Sequence, residues 1–199
     1  KGWDTALQFT RHNKSRIDWT LDGRKREFTW HLFGAEFSGE IGGVGLYGEG
    51  GYVWIDPPRD PGSLHRASKD HERLLFGADY TFAWQLYVMA EYLRFGQGRV
   101  EKEDFTLNDR LAFLSGEIIT SNRDTLFLGA SYPLTDLADL SLYTIIHGND
   151  PSLILNPWLE WNLAPGWRLS LSLNIPVGSE DSSLGRLGIS GFTRLRYSF

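Results

Sequence analysis

The sequence predicts an all-β fold, an antiparallel transmembrane β-barrel with about ten strands in this chain, closed on itself or part of a larger barrel. Three observations predict it. Apolar side chains recur at every second position in segment after segment, the period of a strand with one greasy face and one wet face. The connectors between these segments alternate between short and long. Aromatic residues gather at the segment ends, as amphipathic rings do at the headgroup level of a membrane.

The first segment, 3–12, alternates loosely, with Trp3, Leu7 and Phe9 against Asp4, Gln8 and Thr10. Segment 27–38 changes parity, which predicts a bulge near Gly34. Next, Val44, Leu46, Tyr52 and Trp54 oppose Tyr47, Glu49 and Val53. Leu74, Phe76, Ala78, Tyr80 and Phe82 oppose Arg73, Leu75, Gly77, Asp79 and Thr81. Val88, Ala90 and Tyr92 oppose Tyr87, Met89 and Glu91, and Leu126, Leu128, Ala130 and Tyr132 oppose Thr125, Phe127, Gly129 and Ser131. Segment 140–147 is apolar on both faces. Leu153, Leu155, Leu159 and Trp161 oppose Asn156, Trp158, Glu160 and Asn162. Trp167, Leu169, Leu171, Leu173 and Ile175 then alternate with Arg168, Ser170, Ser172 and Asn174. The final segment, 187–199, sets Leu187, Ile189, Thr193, Leu195, Tyr197 and Phe199 against Ser190, Arg194, Arg196 and Ser198.

Short connectors fall at 39–43, 83–85, 133–139 and 163–166, the last with Pro and Gly in turn-forming positions. The others, at 14–22, 56–70, 96–122, 148–151 and 177–186, are mostly longer and more charged. Short periplasmic turns alternating with long outer loops are the asymmetry expected of an outer-membrane barrel. Within the 96–122 connector, residues 107–119 are expected to form a short helix that narrows or covers the mouth, because so long a loop is uncommon without structure of its own. Trp3, Phe82, Trp84, Tyr132, Trp161, Trp167, Tyr197 and Phe199 fall near the short-turn end, and Tyr52, Trp54 and Tyr92 near the other. Two aromatic belts follow. The competing fold is a soluble β-sandwich with these rings in its core.

Composition narrows the classes. At 199 residues, a single domain spanning 1–199 is expected. A net charge of −5 argues against a general nucleic-acid binder. No run approaches the roughly 18–20 apolar residues of a transmembrane helix, so a helical membrane protein is excluded. A mean hydropathy of −0.30 is compatible with a barrel, which shows lipid only one of its faces. Cysteine is absent, so no disulfide framework or thiol chemistry is available. The chain starts at Lys1 without a leader, as expected either of a processed form or of a piece of a longer precursor.

The final segment, LGISGFTRLRYSF, resembles the C-terminal strand of bacterial outer-membrane β-barrel proteins. That resemblance implies that Leu195, Tyr197 and Phe199 form the signal read by the barrel-assembly machinery. The phrases GADYTFAWQLYVMAEYLRF and LGASYPLTDL are similar to late strands of porin-like proteins, in chains of roughly twice this size. The resemblance implies an integral outer-membrane location, with lipid and lipopolysaccharide as surroundings and further strands supplied ahead of Lys1 or by a second chain.

Charged residues on the lipid side would cost roughly 2–4 kcal/mol each near mid-membrane, so they are expected to point inward. The lumen-lining candidates are Asp4, Glu36, Glu49, Asp79, Glu91 and Glu160, with Arg73, Arg168, Arg194 and Arg196. In a narrow closed barrel most of these would pair and plug the interior. In a wider one they would set the ion preference of a water-filled path, Arg194 and Arg196 foremost. At the outer rim, His147 with Asp150 and Ser152, and the pair Asp70–His71, are the candidates for a hydrolase, which needs a hydroxyl nucleophile and an oriented base. Gly-Asn-Asp-Pro is also an ordinary turn composition. His12, His31 and His65 lack metal-ligand spacing. The loop cations Lys14, Arg16, Arg24, Lys25, Arg26, Arg59, Arg66, Lys69, Arg99 and Lys102 suit lipopolysaccharide phosphates or merely a solvated surface.

The expected function is therefore non-enzymatic and free of cofactor or metal: porin-like passive diffusion of ions or small hydrophilic solutes. Two readings from other classes stand beside it. One is a scaffold or sheath around a partner protein, such as an electron-carrying one. The other is a rim-sited lipid hydrolase. A homo-oligomer or a partner protein fits the first two readings, and nucleic acid fits none.

Overall fold

The computed structural model describes residues 2–17, 25–56, 70–98 and 122–199. Within them lie ten strands: β1 (Asp4–Ile17), β2 (Lys25–Ile41), β3 (Val44–Asp56), β4 (His71–Thr81), β5 (Tyr87–Phe95), β6 (Asp124–Thr135), β7 (Ala138–His147), β8 (Ser152–Ala164), β9 (Trp167–Val177) and β10 (Ser190–Tyr197). They form one antiparallel sheet in strict chain order, and the described residues contain no helix. Among the described residues no second sheet packs on it, so their aromatic side chains do not fill a sandwich core. The expected helix at 107–119 lies outside the described residues.

The sheet is open. Its edges are β1 and β10, and they do not pair with each other, which corrects the expectation of a closed ten-strand barrel. Closure demands that tilt and stagger bring the first and last strands into register. Here the edge strands differ in length, 14 residues in β1 against 8 in β10, and no ladder joins them.

The short connectors form tight turns. Gly42 and Gly43 both have positive φ, 60° and 89°, as a two-residue hairpin turn with matching twist requires. Between β8 and β9 the turn is of another kind, with Pro165 fixed at negative φ and only Gly166 positive, at φ 78°. The expected bulge near Gly34 is absent: β2 keeps one register against both neighbours, and Gly34 simply pairs with Gly51. The irregularities fall instead at Pro133/Thr135 in β6 and Asn162/Ala164 in β8. Pro133 has no N–H to give the ladder, which accounts for the first. The last strand begins at Ser190 rather than Leu187, because 187–189 still belong to the loop.

Register fixes which side chains share a face. One face carries Leu7, Phe9, Phe33, Phe37, Leu46, Leu74, Phe76, Leu128, Leu142, Leu159, Leu171 and Leu195 in cross-strand rows. Its charged residues among the described side chains are Arg11, Asp56, Glu72, Arg94 and Asp124, all at the loop end of their strands. Exposure is inverted relative to a water-soluble core. Leu7 is 77 % exposed and Phe33, Phe76, Leu173 and Leu195 are about as open to solvent as one another, whereas Ser141, Ser170 and Ser172 on the opposite face are buried. Among the described residues, eleven polar side chains are buried against three apolar ones, Val53, Phe95 and Ala138. No strand stacks over either face, since each touches mainly its sequence neighbours. Crowding of the polar face therefore comes from the sheet curling toward it.

Candidate functional site

The ten charged candidates all lie on this crowded polar face. Asp4 is in register with Ser38, Glu36 with Glu49, and Glu49 with Leu75. The rows continue through Asp79 opposite Met89, Glu91 opposite Phe127, and Glu160 opposite Ser170. Arg168 and Arg194 complete them, Arg194 opposite Ser170 and Arg196 opposite Arg168. A common face follows from unbroken antiparallel pairing, since residues directly opposite in a ladder point the same way.

The expected pairing of these charges does not occur. None of the ten takes part in an ion pair among the described residues; the pairs present are His31–Asp56, Arg94–Glu72, Arg94–Asp124 and Arg123–Asp124. Acids predominate on β1 to β5, at Asp4, Glu36, Glu49, Asp79 and Glu91 with Arg73 among them on β4, whereas Arg168, Arg194 and Arg196 on β9 and β10 lie beside Glu160 on β8. Local hydrogen bonds position a few of them: Arg168 Nε donates to Asn162 Oδ1 at 3.2 Å and Ser170 Oγ to Glu160 Oε1 at 3.4 Å.

One contact was not legible in the sequence. Tyr47 OH donates to Glu91 Oε1 at 2.7 Å, reaching from β3 to β5 across β4. It crosses at Gly77, which is in register with both residues, and a side chain there would collide with the Tyr47 ring. A glycine flanked in register by a tyrosine and a carboxylate is the signal, readable only once the pairing is known.

The aromatic ends are connected. At the short-turn end, Tyr80, Phe82, Trp84 and Tyr132 form a chain with centroid separations of 4.8, 5.5 and 5.9 Å, and Trp167, Tyr197 and Phe199 form another at 4.8 and 6.2 Å. Trp3 lies against Phe37 at 6.0 Å. At the loop end, His31 stacks on Trp54 at 5.0 Å while its Nε2 meets Asp56 Oδ2 at 3.1 Å. Of the assembly-signal candidates, Leu195, Tyr197 and Phe199 are all exposed on the apolar edge.

The rim histidines are placed differently from expectation. His147 sits one residue past Ile146, the last outward apolar side chain of β7. Its Nδ1 meets Asn122 Nδ2 at 2.6 Å and Ser183 Oγ at 2.8 Å, while the Ser183 N–H donates to Asp150 Oδ2 at 2.5 Å. Ser152 turns away and donates to the Asp150 carbonyl at 3.1 Å. Burial pushes the His147 imidazole below its ordinary value, and the Asp150 carboxylate acts in the opposite sense. Amide and hydroxyl converge on the same ring nitrogen, so the two do not bracket the ring as an orienter and a nucleophile would. The cluster instead clasps the β9–β10 loop to the ends of β6 and β7. His71 is buried and accepts Arg73 Nε at 3.2 Å. His12 lies beside Trp30 at 5.8 Å, and His65 is outside the described residues.

Among the described residues no cluster of three or more histidine and acidic side chains is arranged to hold a metal ion. The side chains of Lys14, Arg16, Arg24, Lys25, Arg26, Arg59, Arg66, Lys69, Arg99 and Lys102 lie outside the described residues. No family model, curated protein or solved structure matches the chain.

Proposed function

We propose that this chain forms ten strands of an outer-membrane pore, through which ions or small hydrophilic solutes diffuse along the polar face. The inverted exposure carries the reading: an apolar face with many large exposed side chains suits hydrocarbon, and a polar face with buried serines suits water. The uncharged stretch fits as well. In β6 it runs from Thr125 to Thr135, eleven residues, within the about 9–11 that a tilted strand needs to cross a bilayer. Free sheet edges are not tolerated in hydrocarbon, because their N–H and C=O groups would go unpaired. The reading therefore includes strands beyond the ten described, joining β10 to β1 and enlarging the barrel. In a wider lumen, unpaired charges remain available to passing solutes.

The test is single-channel conductance of the purified protein in planar bilayers, with Arg194→Gln/Arg196→Gln as the comparison. The expected result is stepwise conductance whose cation preference rises in the variant. Absence of conductance from protein that has inserted in the bilayer would overturn the proposal in favour of a non-conducting scaffold.

A further inference from the structure

On the polar face of β1 to β4, Gly34 and Gly51 stand directly opposite each other and add no side chains of their own, with Leu32 leaning over Gly51. A cavity of about 290 Å³ opens there, bordered by Leu32, Glu36, Glu49 and Arg73. Its charges are arranged unusually. Glu36 and Glu49 face each other across β2 and β3, a like-charge pair that weakens a sheet when nothing intervenes. Neither carboxylate has an ion-pair partner among the described residues. On the opposite side, Arg73 is the register neighbour of Gly51. Its Nε is spent on His71, and its guanidinium carbon lies 5.1 Å from the Phe95 ring centroid, but no carboxylate among the described residues meets it.

Two acids and a guanidinium thus border one gap without neutralising each other. A ligand bearing a positive and a negative group a few ångströms apart satisfies both sides at once. A lone cation leaves Arg73 unanswered, and a lone anion is repelled by the carboxylates. The backbone floor and the Leu32 side chain add an apolar wall.

The geometry points to a subsite for a small zwitterion of the α-amino-acid class, its ammonium group on Glu36 and Glu49, its carboxylate on Arg73 and its apolar side chain against Leu32. This rests on the pore reading and deepens it by naming a class of solute. Charge-assisted hydrogen bonds at both ends supply the selectivity, since guanidinium suits a carboxylate in a paired geometry.

The experiment is calorimetric titration of the detergent-purified protein with L-leucine, isoamylamine and 4-methylpentanoate, which carry both charges, only the positive one and only the negative one. L-leucine is expected to bind about ten-fold or more tightly than either analogue. Glu36→Gln/Glu49→Gln should abolish its advantage over 4-methylpentanoate, and Arg73→Gln its advantage over isoamylamine. Gly34→Leu, which fills the gap while leaving every charge in place, should remove binding of all three. Far-UV circular dichroism confirms that each variant is folded, and Arg73→Lys serves as the charge-retaining control. Equal affinity for the three probes, or no saturable binding to folded wild-type protein, overturns the proposal. Conductance recorded on the same preparation separates the two readings: conductance without leucine binding removes the subsite and keeps the pore, and leucine binding without conductance does the reverse.

Discussion

His147 Nδ1 and Ser183 Oγ lie 2.8 Å apart, joining the end of β7 to the loop that precedes β10. The Asn122 amide nitrogen reaches the same ring nitrogen at 2.6 Å, and as a donor it needs Nδ1 unprotonated. A proton on Nδ1 would meet the Asn122 amide donor and break the clasp.

The pH dependence follows from the direction of the shift. Burial lowers the folded-state value of His147, so the unfolded or opened form takes up a proton first. The clasp is fully stabilising above the ordinary imidazole value of about 6.5 and weakens as pH falls from there toward the folded value. Protection factors of the Ser183 and Gly185 amides, with the base-catalysed pH dependence of intrinsic exchange divided out, should fall between about pH 7 and 5. In His147→Ala protection should already be low at pH 7, with a loss of about 1–3 kcal/mol in local opening free energy. A flat profile in the wild-type protein would count against the clasp.

Charge placed on the apolar face should be costly. Leu128, mid-strand in β6 and 39 % exposed, is expected to lose about 2–4 kcal/mol on replacement by Arg, measured by urea titration of protein folded into liposomes. Met89→Lys, at a comparable level but on the polar face, should cost much less. Equal losses would mean that both faces meet the same medium.

Phe199 is fully exposed and touches the chain through the Tyr197 ring at 6.2 Å. Deleting it should leave the urea midpoint of the refolded protein nearly unchanged while lowering its yield in the outer membrane of cells. A parallel drop in both quantities would assign Phe199 to packing instead of recognition.

Gly166 at φ 78° has no room for a side chain, because a Cβ there would press on the Ser198 carbonyl. Gly166→Ala should cost more than the about 1 kcal/mol typical of left-handed strain alone. The same Ser198 N–H donates to the Gly166 carbonyl at 2.8 Å, so amide exchange at Ser198 should rise with it.

Strand positions were readable because hydrocarbon-type alternation has a period of two, and a one-residue slip would invert every side chain from Leu169 to Ile175. The parity of most of the charged candidates followed from that period, whereas Glu36, in a segment of changing parity, and Asp4, in a loosely alternating one, were placed by the cost of charge in hydrocarbon. What the sequence left open depends on distances between non-neighbouring strands. Curvature, and so the open edges, is a small rotation summed over ten strands, with no residue that announces it. The bulge expected at Gly34 failed because a glycine on a regular ladder and one at a bulge look alike along the chain. Tyr47 to Glu91 and His147 to Ser183 escaped notice for a related reason: 44 and 36 residues separate the partners.

Because each strand leans on the one before and the one after it, no residue packs against a shared centre. A hairpin gained or lost at either margin would alter circumference without requiring compensatory substitutions elsewhere. Such an architecture can lengthen by duplication of its own two-strand unit, so the width of the passage becomes a quantity that copying errors tune in discrete steps.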